Sequence, residues 1–332
     1  VSVLEAGVAL PVAAVVSLSA SALAVSRLER VATRLGLSEA ALGLLVALAG
    51  DAPEITSAVT AMVGGQADIG AGVVLGSNVF NLAALLGLGA LVAGRIRLHR
   101  RVVSLEGVVA LWVAVVCVVV LATPLGPAPG LGLVAAGVGP YLAVSVLPEA
   151  TLGRLGVPAA VCAWCRRAVS EETVEISPAL EHPPYRPRDL PVGALGLAVV
   201  VAASSVMERS AQSLGAHWQL SGLVVGGVVL AVVTSLPNAV GALYLARRGR
   251  GAAVLSEALN SNMLNVVAGL FLPGVIVGLG RTGGYGIAVA AWYAGLTSLG
   301  LVLAWYGRGL RRLGGAALVA GYLAFLAVAL SR

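Results

Sequence analysis

Apolar residues run along this chain in blocks of about twenty, with polar residues gathered in short clusters between them. A bilayer core about 30 Å thick is crossed by about 20 apolar residues in a helix. On that measure the pattern predicts ten spans, at 4–26, 38–63, 68–93, 103–123, 129–148, 190–208, 219–246, 252–279, 284–306 and 313–331. The first block has Glu5 where a cleaved signal carries positive charge, and its arginines (Arg27, Arg30, Arg34) come after it, so it reads as a retained span. The longer polar segment, 149–189, contains the proline-rich stretch 181–191 and reads as a linker. The expected layout is a first five-span half at 1–148, the linker at 149–189, and a second half at 190–332.

Composition fixes the class. Of 332 residues 59% are hydrophobic and 11% charged, with a mean hydropathy of +0.98. A soluble domain carries about 25% charged residues, so this chain has too little polar surface to cover a globule in water. The reading is an all-α polytopic membrane protein embedded in the lipid bilayer. The net charge of +6 is carried by arginine. In a soluble protein it would suggest nucleic acid, but here the arginines sit between apolar blocks, where they encode orientation, and no nucleic-acid partner is expected. The turns after spans 1, 3, 7 and 9 hold thirteen (Arg27, Arg30, Arg34; Arg95, Arg97, Arg100, Arg101; Arg247, Arg248, Arg250; Arg308, Arg311, Arg312). The opposite side holds Arg209, Arg281 and Arg332. This asymmetry predicts a plasma (inner) membrane protein with both termini outside and the linker in the cytoplasm.

The two halves share a pattern at a constant offset of 184 residues. Ala49-Gly-Asp-Ala-Pro-Glu54 aligns with Val233-Thr-Ser-Leu-Pro-Asn238, and Gly76-Ser-Asn-Val-Phe-Asn81 with Asn260-Ser-Asn-Met-Leu-Asn265, without a gap. Gly94 and Arg97 align with Gly278 and Arg281. With five spans per half, the second copy must enter the membrane upside down. The two motif regions, 49–81 and 233–265, are therefore expected to face each other near the bilayer midplane.

The motif residues carry their own chemistry. Pro53 and Pro237 fall mid-span, where each lacks an N–H and frees backbone carbonyls of the preceding turn. Loosened backbone at that depth must face protein, water or an ion. Asp51 and Glu54 lie three apart on one helical face, as do Ser235 and Asn238. Ser77 and Asn81, and Ser261 and Asn265, are each one turn apart. All these groups offer oxygen, a set suited to Ca²⁺ or Na⁺ and not to zinc or copper. An ionised acid at the bilayer centre costs about 2.5–3.5 kcal/mol on insertion scales, and a bound cation is the simplest compensation.

At these residues the chain resembles the sodium/calcium exchanger family of calcium/cation antiporters. That family has two inverted repeats, each with a Gly-Asn/Thr-Ser-x-Pro-Glu element followed by Gly-Ser-Asn-x-x-Asn. The resemblance rests on Gly50, Pro53, Glu54, Gly76, Ser77, Asn78 and Asn81, and on Thr234, Ser235, Leu236, Pro237, Ser261, Asn262 and Asn265. It implies a secondary antiporter that exchanges calcium for sodium or protons by alternating access, with no catalysis and no cofactor beyond the transported cations. It also implies Glu54 as principal ligand, supported by Ser77, Asn81, Thr234, Ser235, Ser261 and Asn265. Gly50 and Asn238 complete the expected set with Asp51.

The chain departs from the family pattern in both repeats. Asn238 stands where the second acid is usual, Asp51 where a neutral polar residue is usual, Asn260 opposite Gly76, and Glu257 where Asn is frequent. Two carboxylates remain, both from the first repeat. Without a cation between them they repel, which favours competition by protons and hence calcium/proton exchange. The alternative reading is a transport-deficient relative with a regulatory or structural role. An aspartyl protease built on Asp51 fails, because that chemistry needs two aspartates. Cys162 and Cys165 in the linker lack the ligands of a zinc site and read as unpaired thiols. Trp292, Tyr293, Trp305, Tyr306 and Tyr322 read as anchors at the membrane interface.

Overall fold

The computed structural model describes residues 2–34, 48, 50–147, 149–176, 185–280 and 283–331. The first half supplies α1 (Val3–Arg34), α2 (Ala52–Val63), α3 (Ala67–Ala93), strand β1 (Arg95–Arg97), α4 (Arg100–Ala122) and α5 (Pro127–Val146). Two helices follow, α6 (Glu149–Arg154) and α7 (Ala159–Ile176). The second half supplies α8 (Asp189–His217), α9 (Gly222–Leu236), α10 (Asn238–Arg247), α11 (Gly251–Val277), α12 (Gly283–Gly307), strand β2 (Gly309–Arg311) and α13 (Arg312–Leu330). Among the described residues eight helices are long and apolar enough to cross a bilayer, and the pair α9–α10, bent by 51° about position 237, passes the same test only when its two helices are taken together. Of the second expected span, 38–63, the remainder N-terminal to α2 lies largely outside the described residues.

Contacts between loops show that the halves are inverted. On one face β1 pairs antiparallel with β2, Arg95 opposite Arg311. Gly251, at the start of α11, packs so tightly under Arg97 that a Cβ there would sit 1.9 Å from the Arg97 carbonyl oxygen. On the other face Gly222 lies against Asp68 and Ile69, and Gly280 against Ala67. The α2–α3 turn of the first half thus meets both ends of the second half's core on one face. The α10–α11 turn meets the end of α3 on the other. Gly94 and Gly278, 184 residues apart, end α3 and α11 with positive φ of 79° and 83°, a conformation natural to glycine.

At the centre α3 packs against α9, and their small residues let backbones touch. A Cβ on Gly76 would fall 2.1 Å from the Gly227 carbonyl oxygen, and one on Gly226 would fall 2.1 Å from that of Ile69. Within a bilayer such close packing replaces the hydrophobic drive between helices. Helices α3 and α11 both widen into π-helical turns at matching places, Leu82–Leu88 and Asn265–Phe271, immediately around the last motif asparagine of each repeat. A third such stretch, Val225–Leu230, precedes the bend at 237.

Several elements differ from the sequence expectations. The sixth span was expected to end at 208, but α8 runs to His217 and carries Glu208 and Arg209 in helical continuity. At 29 residues it is about 44 Å long, longer than the hydrocarbon that the apolar measure detects. Likewise α1 continues to Arg34, and Arg27 and Arg30 bond the buried Asp189 of α8 at 2.9 and 3.4 Å. The stretch expected as a linker includes α7, whose Cys162, Cys165 and Ala168 are buried, with α7 against α4, α5 and α11. Its apolar N-terminal half has a surface to cover. All three cysteines are unpaired. Tyr293 and Tyr322 are core residues instead of interfacial anchors: Tyr322 packs against Phe80 and Phe325, and Tyr293 is 1% exposed. Trp305 and Tyr306 are exposed at the end of α12, as expected.

Replacing Gly76 by Ala should lower stability by about 1–3 kcal/mol, since backbone and not a flexible side chain occupies the space. Gly139→Ala, which meets nothing within 4 Å, should leave stability unchanged or raised. Thermal unfolding of both variants in detergent checks the pair.

Candidate cation site

Pro53 falls in the first turn of α2, so the helix begins afresh at Ala52 and Glu54 stands near its N-terminus, where unpaired N–H groups favour a negative side chain. Asp51 directly precedes that helix. In the second half the chain bends at 237 and presents Asn238 at the start of α10. Asp51, Glu54, Ser77, Asn78, Asn81, Thr234, Ser235, Asn238, Ser261, Asn262 and Asn265 are all buried. Two breaks from opposite halves therefore meet between the central helices, far from water.

A reciprocal pattern of hydrogen bonds joins the halves. The Asn78 side-chain amide donates to the Asn262 carbonyl at 3.1 Å, and the Asn262 amide donates to the Asn78 carbonyl at 3.0 Å. Asn81 donates to Ser261 Oγ at 3.3 Å and Asn262 Oδ1 at 3.1 Å. Its counterpart Asn265 donates to Ser77 Oγ at 3.4 Å and Asn78 Oδ1 at 3.3 Å. Every bond has a partner displaced by 184 residues, the signature of a local two-fold axis. Asn78 and Asn262 were not among the expected ligands. The paired Ser-Asn-x-x-Asn motif contained them, but spacing alone could not show that they clasp each other.

The carboxylates break that symmetry. Asp51 Oδ1 accepts from Ser261 Oγ at 2.7 Å and from Asn238 Nδ2 at 2.8 Å, both in the other half. The same Asn238 nitrogen lies 3.4 Å from Glu54 Oε1 and 3.3 Å from Ser261 Oγ. Glu54 Oε2 accepts from Asn265; Ser77 Oγ donates to the Val74 carbonyl at 3.1 Å, and Ser235 Oγ is buried with no hydrogen-bond partner among the described residues. Gly50 packs beside Asn238, with a Cβ position 3.8 Å from Asn238 Oδ1. Thr234 is buried nearby in sequence, but its hydroxyl donates within the helix to the Leu230 carbonyl at 2.9 Å.

Burial of so many oxygens leaves some without a donor. Among the described residues Asp51 Oδ2, Asn81 Oδ1 and Asn265 Oδ1 are buried and hydrogen-bonded to nothing. A buried acceptor without a partner costs about 1–3 kcal/mol, and a hard cation satisfies several at once. Carboxylate, amide and hydroxyl oxygens from both halves form a set fitted to Ca²⁺ or Na⁺. No group of three or more His, Cys, Asp and Glu able to hold a metal ion occurs among the described residues.

A family model described as sodium/calcium exchanger protein matches residues 6–147 and 190–331. The chain belongs to the sodium/calcium exchanger family. Membership makes it a membrane transporter of inorganic cations, of the calcium/cation antiporter kind. It is 28% identical to CaxA of Alkalimonas amylolytica over 255 residues, 74% of each chain. It is also 28% identical to the inner membrane protein YrbG of Escherichia coli (strain K12) over 249 residues, 73% of this chain and 70% of that one. Its fold matches the H⁺/Ca²⁺ exchanger CAX with a TM-score of 0.69 at 15% identity, over 97% of this chain and 81% of that one. It matches the sodium-calcium exchanger NCX_Mj with a TM-score of 0.57 at 20% identity, over 98% and 99%. At these identities the structural likeness is one of fold.

Asn78→Ala and Asn262→Ala should each destabilise this exchanger by about 1–3 kcal/mol and by similar amounts, because each strands one buried carbonyl. Unfolding midpoints of the two variants check this. A large inequality would contradict the reciprocal clasp.

Proposed function

We propose that this chain exchanges Ca²⁺ for H⁺ or Na⁺ by alternating access, with Glu54 and Asp51 as its charged ligands. Ser77, Asn81, Ser235, Asn238, Ser261, Asn265 and the backbone about Gly50 and Thr234 complete the oxygen shell. The observation that carries this reading is the crossing of Asp51 to the second half. The family's second acid is absent at Asn238, yet an aspartate from the first repeat reaches the same neighbourhood by bonding Ser261 and Asn238. Two carboxylates thus remain to balance a divalent ion.

Coupling follows from competition for those oxygens. One Asn238 nitrogen reaches oxygens of both acids, so when no cation screens them a proton relieves their repulsion. That supports protons as the counter-ion. The fold is compatible with sodium as well, and a pH gradient against a sodium gradient distinguishes the two. A second reading, an exchanger-like membrane protein that transports nothing, is favoured by the amide at Asn238. The arginine asymmetry supports a cytoplasmic 149–189 and external ends.

Purified protein in liposomes should take up Ca²⁺ under an imposed H⁺ or Na⁺ gradient, and Glu54→Gln should abolish the uptake. Absence of wild-type flux under either gradient would instead favour the non-transporting reading. Asp51→Ser should cut flux at least tenfold, the cost of losing one strong ligand contact. Adding Asn238→Glu to Asp51→Ser should restore much of it by returning the acid to the second repeat.

A further inference from the structure

The two-fold relation makes the routes from the site to the two faces equivalent in backbone, but the side chains along them differ. On α10 and α11, one turn beyond Asn238 and Ser261, stand Gly241 and Glu257, toward the face that carries the arginine loops. The residues 184 positions earlier, on the route to the other face, are Ser57 and Val73. Both Ser57 and Val73 are fully buried. Glu257 is half-buried, and a Cβ on Gly241 would lie 3.2 Å from its Oε1, so the missing side chain makes room for the carboxylate. Glu257 Oε2 is buried without a hydrogen-bond donor. It is close enough to Asp51 for their charges to interact. One route thus holds a long acid opposite a gap, the other a valine opposite a serine.

On this basis, and resting on the exchange reading above, we propose that Glu257 is a one-sided receiving carboxylate. It captures the divalent cation arriving from the arginine-rich face and passes it to Asp51, while the equivalent positions toward the opposite face, Ser57 and Val73, carry no carboxylate. The loops of that face (Arg95, Arg97, Arg247, Arg248, Arg308, Arg311) are exposed and repel an incoming cation. A carboxylate just inside them offsets that repulsion and raises the local cation concentration. It serves arrival at the site from one direction.

The test is Ca²⁺ transport in liposomes, with orientation read from labelling of a cysteine introduced in the 248–250 turn. Half-saturating Ca²⁺ is measured separately for each face. Glu257→Gln should raise it about tenfold for Ca²⁺ offered at the arginine-rich face, the low end of what a charged cleft contributes. It should change less than twofold at the other face, with maximal rate preserved. Gly241→Val, which keeps the charge but displaces it, should act with the same sidedness. Equal effects at both faces, or none at either, would overturn the proposal while leaving exchange intact. A wild-type protein that moves no Ca²⁺ from either face would overturn the exchange reading and this inference with it.

Discussion

Polar groups at the middle of a bilayer find no water, so each must be satisfied by another part of the protein or by cargo. In this exchanger that constraint is met across the boundary between the two halves. Asn78 and Asn262 clasp each other's carbonyls, and Asn81 and Asn265 reach into the opposite motif. Neither half contains the hydrogen-bond partners of these four asparagines. The tight glycine contacts of α3 with Gly226 and Gly227 and the paired π-helical turns follow from the same demand, because the amides meet only where backbones approach closely.

Within that symmetric frame the charge is placed asymmetrically. Both acids of the centre come from the first repeat, and the second supplies amides and hydroxyls. Asp51 resolves the imbalance by leaning across the axis, so that its position in space differs from its position in the repeat. Glu257 adds a further departure one turn away. The scaffold is thus two-fold and its electrostatics are not, which allows one backbone design to treat its two directions differently.

Much of the architecture was legible in the chain. Blocks of apolar residues marked the crossings, the constant offset of 184 revealed the duplication, and its odd span count implied inversion. The motif residues Glu54, Asp51, Asn238, Ser261 and Asn265 are found together. What the sequence withheld was pairing. An offset says that Asn78 and Asn262 are equivalent, not that they touch, and it gives no sign that Asp51 bonds the other half. The apolar measure also stopped α8 at the edge of the hydrocarbon and missed its continuation to His217. It took α7 for linker because arginines and glutamates dilute a helix whose buried face is short. Tyr293 and Tyr322 were misplaced because both lie in the middle of their helices, α12 and α13, where a tyrosine packs into the core instead of meeting headgroups.

The ladder between β1 and β2 joins Arg95–Arg97 to Gly309–Arg311, strands more than two hundred residues apart. During synthesis the first half is made long before its partner strand exists, and so are Asn78, Asn81, Asp51 and Glu54. Translation therefore leaves a half-molecule with a polar seam in lipid until α11 arrives, and the two loops are stitched together only after α12 has been inserted. Closure of the ladder and of the polar seam is for that reason a late, long-range event, since each joins residues of the first half to residues made much later.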